Sequence, residues 1–175
     1  TMPPEETIAL VNVGAAVMNI NVVRSTMTMF TRDLSQGGNQ FTEELQKQLG
    51  VSYEEAEALK IGGGPESDAV VPQEVERVMG EVSESVANDV QRSLDFFAAT
   101  SVDATIHRLF LAGGCARMAT LGKAIEARTG ISVEVLDPFR QVDLSSRGLD
   151  PAYLRANAPL AAVSVGLALR RLDEN

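Results

Sequence analysis

The sequence predicts an α/β domain built on a mixed five-stranded sheet with helices on its faces. Three features of the 175 residues predict it. The first third alternates apolar and polar residues in three short runs, which is typical of an antiparallel meander. A long helical stripe follows. The last third has the pattern strand, helix, strand, helix, in which the two strands pair in parallel.

The three strands of the meander are predicted at 7–14, 18–23 and 27–34. The first run is mostly apolar and ends at Gly14, the second alternates, and the third resumes after a short polar turn. Because the connections are only a few residues long, we expect hairpins.

Two helices are predicted directly after the meander. Apolar residues recur every four positions from Phe41 to Leu49, and Gly50 is a typical residue after a helix end. Ser52 and Glu55 have the spacing of a capping box, in which the side chain of each residue accepts a hydrogen bond from the backbone amide of the other. The second helix is therefore short and begins at Ser52.

A third, long helix is predicted after a glycine-rich connection at 62–72. Its apolar residues fall three and four apart and form one stripe of about 24 residues, which must lie on the sheet. Residues 37–72 are a candidate small helical subdomain within the domain. The stripe consists of Val75, Val78, Met79, Val82, Val86, Val90, Leu94 and Phe97.

In the last third, strands are predicted at 107–112 and 131–136, with a helix ending at Gly130 between them. Residues 158–172 predict a final helix with Pro159 near its start, where the missing amide costs little. We expect this helix to be buried, because small residues allow close packing. They are Ala161, Ala162, Ser164, Gly166 and Ala168.

Charge and composition exclude several classes of protein. The net charge is −9, and residues 41–100 hold thirteen acidic against four basic residues. Nucleic acid is not an expected partner because the basic footprint is missing. The acidic stretch fits a solvated helical face, or a docking surface for a basic partner. A single cysteine and a single histidine leave no internal disulfide and no zinc cluster.

No apolar run reaches the ~20 residues that cross a bilayer, and the N-terminal residues lack the regions of a signal peptide. The sequence therefore predicts no membrane insertion and a cytoplasmic location. The expected order of elements resembles the ribonuclease-H-like unit, which occurs twice in actin-like ATPases.

Several motifs together resemble the second half of the PilM family, actin-like proteins of type IV pilus assembly related to FtsA and MreB. They are LVNVGAAVMNINVV, FTRDLSQGGNQFTEELQKQLGVSYEEAEALK, LAGGCARM, VLDPF and NAPLAAVSVGLALRRLD. The resemblance covers essentially all 175 residues. It implies that residues 1–175 are the second, C-terminal actin-like domain, and that the first actin-like domain is absent from this chain.

The resemblance also implies a function. It predicts a cytoplasmic scaffold, held at the inner membrane through protein partners, that serves type IV pilus assembly and twitching motility. ATP or ADP with Mg²⁺ would lie in the cleft between the two domains. The expected partners are other platform proteins and PilN, whose cytoplasmic N-terminal tail would dock mainly on the first domain. Self-association stays open.

The first group of candidate site residues lies in the turn of the first hairpin. Gly14, Ala15 and Ala16 are small residues that let backbone amides approach phosphate oxygens. Such a turn is also compatible with an ordinary tight hairpin, and the resemblance favours a phosphate contact. Asn12 stands where the family commonly has an aspartate that holds a metal-bound water, but an amide lacks the charge that a hard cation favours.

The second group of candidates would border the nucleoside. The resemblance assigns Glu57 to the ribose hydroxyls and the Lys60 stem to the base, whereas the spacing alone fits an exposed ion pair on one helix face. It assigns the Gly113 and Gly114 backbone to the adenosine. Cys115 follows as a small residue rather than a reactive one, because no base stands near it in sequence.

Two alternatives to a scaffold remain at this point. One is an enzyme, either a slow ATPase or half of a sugar-kinase-like phosphotransferase, which requires phosphate contacts from both sides of a cleft. The other is an FtsA-like cell-division protein. No Ser/His/Asp group indicates catalysis, so this chain alone is expected to bind rather than to turn over a substrate.

Overall fold

The computed structural model describes residues 6–62, 73–102, 104–142 and 150–170. The predicted connection at 62–72 lies outside the described residues, apart from Gly62.

Five strands form one mixed sheet in the order β3-β2-β1-β4-β5. The pairs β1–β2 and β2–β3 are antiparallel, whereas β1–β4 and β4–β5 are parallel. This confirms the predicted fold class, a three-strand meander joined to two parallel strands. The strands are β1 Thr7–Val13, β2 Met18–Arg24, β3 Met27–Leu34, β4 Arg108–Ala112 and β5 Val133–Val135.

Four helices precede or flank the parallel strands. They are α1 Asn39–Leu49, α2 Tyr53–Lys60, α3 Gln73–Thr100 and α4 Ala119–Thr129. Helix α1 ends at Gly50, whose φ of 68° is the left-handed conformation typical of this position. The capping box at the start of α2 is present, with both the Ser52 and the Glu55 side chains bound to backbone amides.

One hydrophobic core joins the sheet to these helices. Alternate residues of β1 and β2 are fully buried in the same cluster as the apolar residues of α3, and α3 also packs on α1 and α4. Phe41 and Leu45 of α1 and Ala56 of α2 belong to the same core. The separate helical subdomain at 37–72 stays a prediction. The largest fully buried side chains are Phe41, Phe97, Met18, Ile20, Leu45, Leu109, Leu111, Leu121 and Ile125.

Strand β5 is shorter than the predicted 131–136. Only Val133 to Val135 pair with β4, opposite Leu109 to Leu111. Among the described residues no strand pairs with its outer edge, so its register there comes from β4.

The prediction of a single buried final helix is wrong. The segment consists of α5 Pro151–Asn157, a 3-10 turn Ala158–Ala161 and α6 Ala162–Leu169. Helix α6 has no buried residue, and Leu167 is 65% exposed. The small residues permit close packing, but the adjoining 3-10 turn is the described element that packs most against this helix, and it buries none of the helix residues.

Residues Ala152–Leu169 are long and apolar enough, by length and composition, to cross a membrane. Of this stretch, 11% is buried. The sequence-based expectation that no segment reaches such a length was therefore wrong on this criterion. The absence of membrane insertion stays a prediction.

Candidate functional site

A pocket of ≈870 Å³ opens where the ends of β1 and β4 face α2, α3 and α4. Because β1 and β4 are parallel, their carboxyl ends lie at the same edge of the sheet, where ligands of α/β proteins gather. Six residues that the sequence singled out line this one pocket, although they come from three separate segments. They are Gly14, Ala15, Glu57, Lys60, Gly114 and Cys115.

The β1–β2 turn is held from both sides. Within the turn, the amide of Gly14 donates to the carbonyl of Val17 over 3.0 Å. The carbonyls of Gly14 and Ala15 accept from the amides of Gly38 and Asn39 at the start of α1, each over 2.8 Å. The turn is therefore fixed with these two carbonyls facing α1.

The tip of the turn keeps donors available. Among the described residues, none accepts a hydrogen bond from the amides of Ala15 or Ala16. Both residues are exposed, and Ala15 lines the pocket. Free backbone amides in a tight turn are the groups that bind anions in proteins.

The glycine pair before α1 is part of the site, and sequence reasoning used it only as a marker of family resemblance. A Cβ added at Gly37 would lie 2.5 Å from the carbonyl oxygen of Gly14 and 2.6 Å from that of Ala15. Gly38 lines the pocket beside Cys115. A pair of glycines ahead of a helix was the signal that could have identified them.

The two glycines after β4 differ in what the fold requires of them. Gly113 has φ +88°, and a Cβ there would lie 2.4 Å from the carbonyl oxygen of Val13. Gly114 has no positive φ, and its nearest neighbour would be a Leu160 methyl at 3.8 Å, an ordinary contact. The backbone geometry therefore demands a glycine at 113 and leaves room for a side chain at 114.

Lys60 lies at the centre of a polar cluster on the wall formed by α2. Its ammonium group donates to Glu57 Oε1 over 2.5 Å, to Thr42 Oγ1 over 2.9 Å and to the Gly38 carbonyl over 3.4 Å. Thr42 also donates to Glu57. The Lys60 side chain is only 12% exposed, so the pair is not the exposed surface pair that its spacing alone allowed.

This cluster sets the ionisation of its neighbours. Burial raises the pKa of Glu57, but hydrogen bonds from Lys60 and Thr42 and the charge of Lys60 outweigh it and leave the pKa below its ordinary value. Burial raises the pKa of the Cys115 thiol, and the charge of Lys60 opposes that rise only in part. Cys115 is therefore a neutral, buried thiol, as expected for a residue selected for its size.

Other lining residues were not predicted from the sequence to contact a ligand. Arg117 follows the glycine pair and donates from Nη1 to the carbonyl of Ala156 over 2.7 Å. Apolar contacts come from Met79 of α3 and Met118 before α4. The pocket thus combines an apolar wall, an arginine and a cluster of backbone groups, which suits a ligand with both an apolar and an anionic part.

Three predicted site residues do not line the pocket. Ala16 is at the exposed tip of the turn, and Gly113 lies behind Gly114 against β1. Asn12 precedes the turn and donates from Nδ2 to Asn19 Oδ1 over 3.1 Å. Within the described ranges there is no group of three or more His, Cys, Asp or Glu that could hold a metal ion.

Around the pocket, the described residues suit an indirect contact with Mg²⁺ rather than direct ligation. An uncharged amide such as Asn12 does not replace the carboxylates that a hard cation prefers. Mg²⁺ usually keeps several waters and is carried by the phosphates of its ligand. The amide oxygen of Asn12 fits the role of an acceptor for such a water.

Comparison with protein families gives one match that covers nearly the whole chain. Residues 2–172 match the model described as type IV pilus assembly protein PilM.

Solved structures with the same fold are actin-like proteins. The PilM-PilN type IV pilus biogenesis complex matches with a TM-score of 0.82 and 22% identity, over 95% of this chain and 46% of that chain. The ethanolamine utilization protein EutJ of Carboxydothermus hydrogenoformans has a TM-score of 0.65 and 21% identity, over 94% of this chain and 48% of that chain. MreB5 of Spiroplasma citri bound to AMPPNP has a TM-score of 0.63 and 13% identity, over 94% of this chain and 52% of that chain. The chain spans about half the length of each, and the fold is actin-like.

Proposed function

The chain belongs to the type IV pilus assembly protein PilM family, and from this premise we propose that it is the nucleotide-binding second domain of an actin-like scaffold protein. In this proposal the pocket holds ATP or ADP, with Mg²⁺ carried by the phosphates. The turn at Gly14 contacts phosphate, and the wall from Glu57 to Gly114 borders the nucleoside.

Gly114 is the single observation that carries the proposal. The fold leaves room for a side chain at this position, yet the residue is glycine and its surface faces the pocket. A glycine that the backbone does not need is explained by the close approach of a ligand. The purine and ribose of a nucleotide would lie against this bare backbone.

The polar groups around the pocket are consistent with that placement. The free amides of Ala15 and Ala16 supply donors for phosphate oxygens. Glu57, ionised at neutral pH, accepts hydrogen bonds from ribose hydroxyls with its remaining lone pairs. The related MreB5 was solved with the ATP analogue AMPPNP, which supports the choice of ligand class.

Binding, rather than hydrolysis, is the proposed activity of this chain. Hydrolysis of a nucleotide requires a positioned water, a metal ion and phosphate contacts from both sides. In this proposal the chain supplies one side of the cleft, and Asn12 offers an amide in place of a carboxylate. The proposed role is therefore structural, with the nucleotide ordering the cleft and so biasing the docking of partners.

We place this protein in the cytoplasm, at the inner membrane through protein contacts. The similarity to a structure solved as a PilM-PilN complex supports PilN as a partner. A first actin-like domain would close the nucleotide cleft from the other side.

We expect Gly114→Val to abolish nucleotide binding without unfolding the protein. The valine side chain would occupy the space of the nucleoside, while a Cβ at this position meets only an ordinary contact. The measurement is a thermal-shift titration with Mg-ATP and Mg-ADP, of this chain and of the chain together with a first actin-like domain. A ligand at 100 times its Kd stabilises by about 2.7 kcal/mol.

Gly122→Val in α4 is the matched control, because a Cβ there also meets an ordinary contact, with Leu111, and Gly122 does not line the pocket. This variant should keep the ligand-induced shift. A wild-type two-domain protein that shows no shift with either nucleotide, or a Gly114→Val protein that shifts like wild type, would refute the proposed site.

A further inference from the structure

A row of hydrogen-bonded side chains crosses the meander, and we call Asn12, Asn19 and Asp33 the amide row. Asn12 lies opposite Asn19 in the strand register, and Asn19 lies opposite Asp33. Asn12 Nδ2 donates to Asn19 Oδ1 over 3.1 Å, and Asn19 Nδ2 donates to Asp33 Oδ1 over 2.8 Å. The row thus connects the edge strand β3 to the end of β1, just before the Gly14 turn.

The carboxylate at one end fixes the direction of every amide in the row. A carboxylate only accepts hydrogen bonds, so Asn19 must turn its NH₂ group toward Asp33. The carbonyl oxygen of Asn19 then faces β1, and Asn12 must turn its own NH₂ group toward that oxygen. The oxygen of Asn12 is left pointing away from the row.

That oxygen lies beside the turn that follows β4. A Cβ built on Gly113 would lie 2.8 Å from Asn12 Oδ1. In the described part of the chain, no donor reaches this oxygen, and it is not among the buried atoms without a partner. Asn12 therefore presents an available acceptor at the Gly113 turn, next to the pocket.

We propose that Asp33, acting through Asn19, is a positioning residue that holds Asn12 Oδ1 as the acceptor for an O–H donor of the bound ligand. The identity of the ligand rests on the proposed function, whereas the orientation of Asn12 rests on the amide row alone. Two donors share this chemistry: a water held by the Mg²⁺ of the nucleotide, and a hydroxyl of its sugar.

An isosteric change at Asp33 tests the orientation directly. In Asp33→Asn the new amide presents either its nitrogen or its oxygen to Asn19, so the direction of the row is no longer fixed. We expect the side-chain NH₂ resonances of Asn12 to move or broaden in a ¹H–¹⁵N NMR spectrum of the chain, although Asn12 is two strands away from the substitution.

Thr31→Val is the matched control. It removes the hydrogen bond from Thr31 Oγ1 to Asn21 Oδ1, a neighbouring 2.8 Å contact between β2 and β3 outside the amide row. This variant should leave the Asn12 NH₂ resonances unchanged. Unchanged Asn12 resonances in Asp33→Asn overturn the proposal, whether or not the protein binds a nucleotide.

The second measurement is the affinity for Mg-ADP by calorimetry. Loss of one oriented acceptor is expected to weaken binding about threefold to tenfold in Asp33→Asn. The difference from wild type should vanish without Mg²⁺ if the donor is a metal-bound water, and with 2′-deoxy-ADP or 3′-deoxy-ADP if it is a sugar hydroxyl. Equal affinities in the presence of shifted Asn12 resonances contradict the ligand contact. If the wild-type protein does not bind Mg-ADP, the proposed function is contradicted. The orientation of Asn12 is then decided by the NMR comparison alone.

Discussion

Gly113→Ala is expected to destabilise the protein by about 3 kcal/mol, because a left-handed conformation costs an L-residue about 1–2 kcal/mol and a backbone clash adds to it. At Gly113 the φ is +88°, and the new Cβ would stand 2.4 Å from the carbonyl oxygen of Val13. The chain cannot move away easily, since the Gly113 amide also donates to the Pro159 carbonyl over 3.0 Å.

The measurement is thermal or urea unfolding of the chain, with a fall in Tm of roughly 6–12 °C for a chain of this size. Gly130→Ala is the control that separates the cost of the left-handed backbone conformation from the cost of the clash with β1. Gly130 has φ +68°, but nothing lies within 4 Å of the added Cβ. Its cost should be about 1 kcal/mol. Equal losses in the two variants would show that the close approach of Gly113 to β1 contributes nothing.

Lys60→Met is expected to cost about 2 kcal/mol, because hydrogen bonds that involve a charged group contribute about 1.5–3 kcal/mol. The Lys60 ammonium is nearly buried and donates to Glu57, Thr42 and the Gly38 carbonyl. Methionine retains most of the apolar stem but leaves these acceptors without their donor. The loss is measured by urea unfolding at pH 7.

Lys47→Met offers a matched control within the same chain. Lys47 and Glu44 form a pair at the same i,i+3 spacing, but the Lys47 side chain is 74% exposed. An exposed pair of this kind contributes little to stability, so the control should unfold like the wild type. A comparable loss in both variants would contradict the buried cluster.

The effect of Lys60→Met should depend on pH in a defined direction. The pKa of Glu57 is lowered in the folded protein, so its stabilising contribution is complete above the unfolded pKa and is lost as the pH falls through the folded value. The difference between wild type and Lys60→Met should therefore be full at neutral pH and shrink below about pH 4.5. A difference that grows on acidification would rule out the Glu57 contact.

The sheet could be predicted because its signals are local. Alternation marks β1 to β3, and a capping box and Gly50 mark the adjoining ends of α1 and α2. The parallel pairing of β4 with β5 follows from the crossover helix between them, together with the restricted ways in which such units connect. Each of these features is written in a few neighbouring residues.

The final helix could not be predicted correctly, because burial depends on what lies opposite. Its residues are small and apolar, which permits close packing but does not supply a partner surface. In the described chain Leu167 and Leu169 are 65% and 69% exposed. A pattern in one segment carries no information about whether a second segment covers it.

The site was accessible to sequence reasoning only in part. Glycine pairs and the Glu57–Lys60 spacing identified residues that meet in one pocket. The role of Thr42, which joins α1 to that pair, and the free oxygen of Asn12 depend on contacts between separate helices, strands and turns. Such contacts exist only once the sheet and the helices are in place.

The most direct test of the central claim, that this pocket binds a nucleotide, is a titration with Mg-ADP, followed by NMR, of the ¹⁵N-labelled chain joined to a first actin-like domain. The account predicts that the backbone amide resonances of Gly14, Ala15, Gly38, Gly114 and Cys115 shift together along one saturation curve, while those of α6 do not move. Backbone amide resonances of these pocket residues that stay unchanged at millimolar ADP, or shifts confined to α6, would contradict nucleotide binding in this pocket.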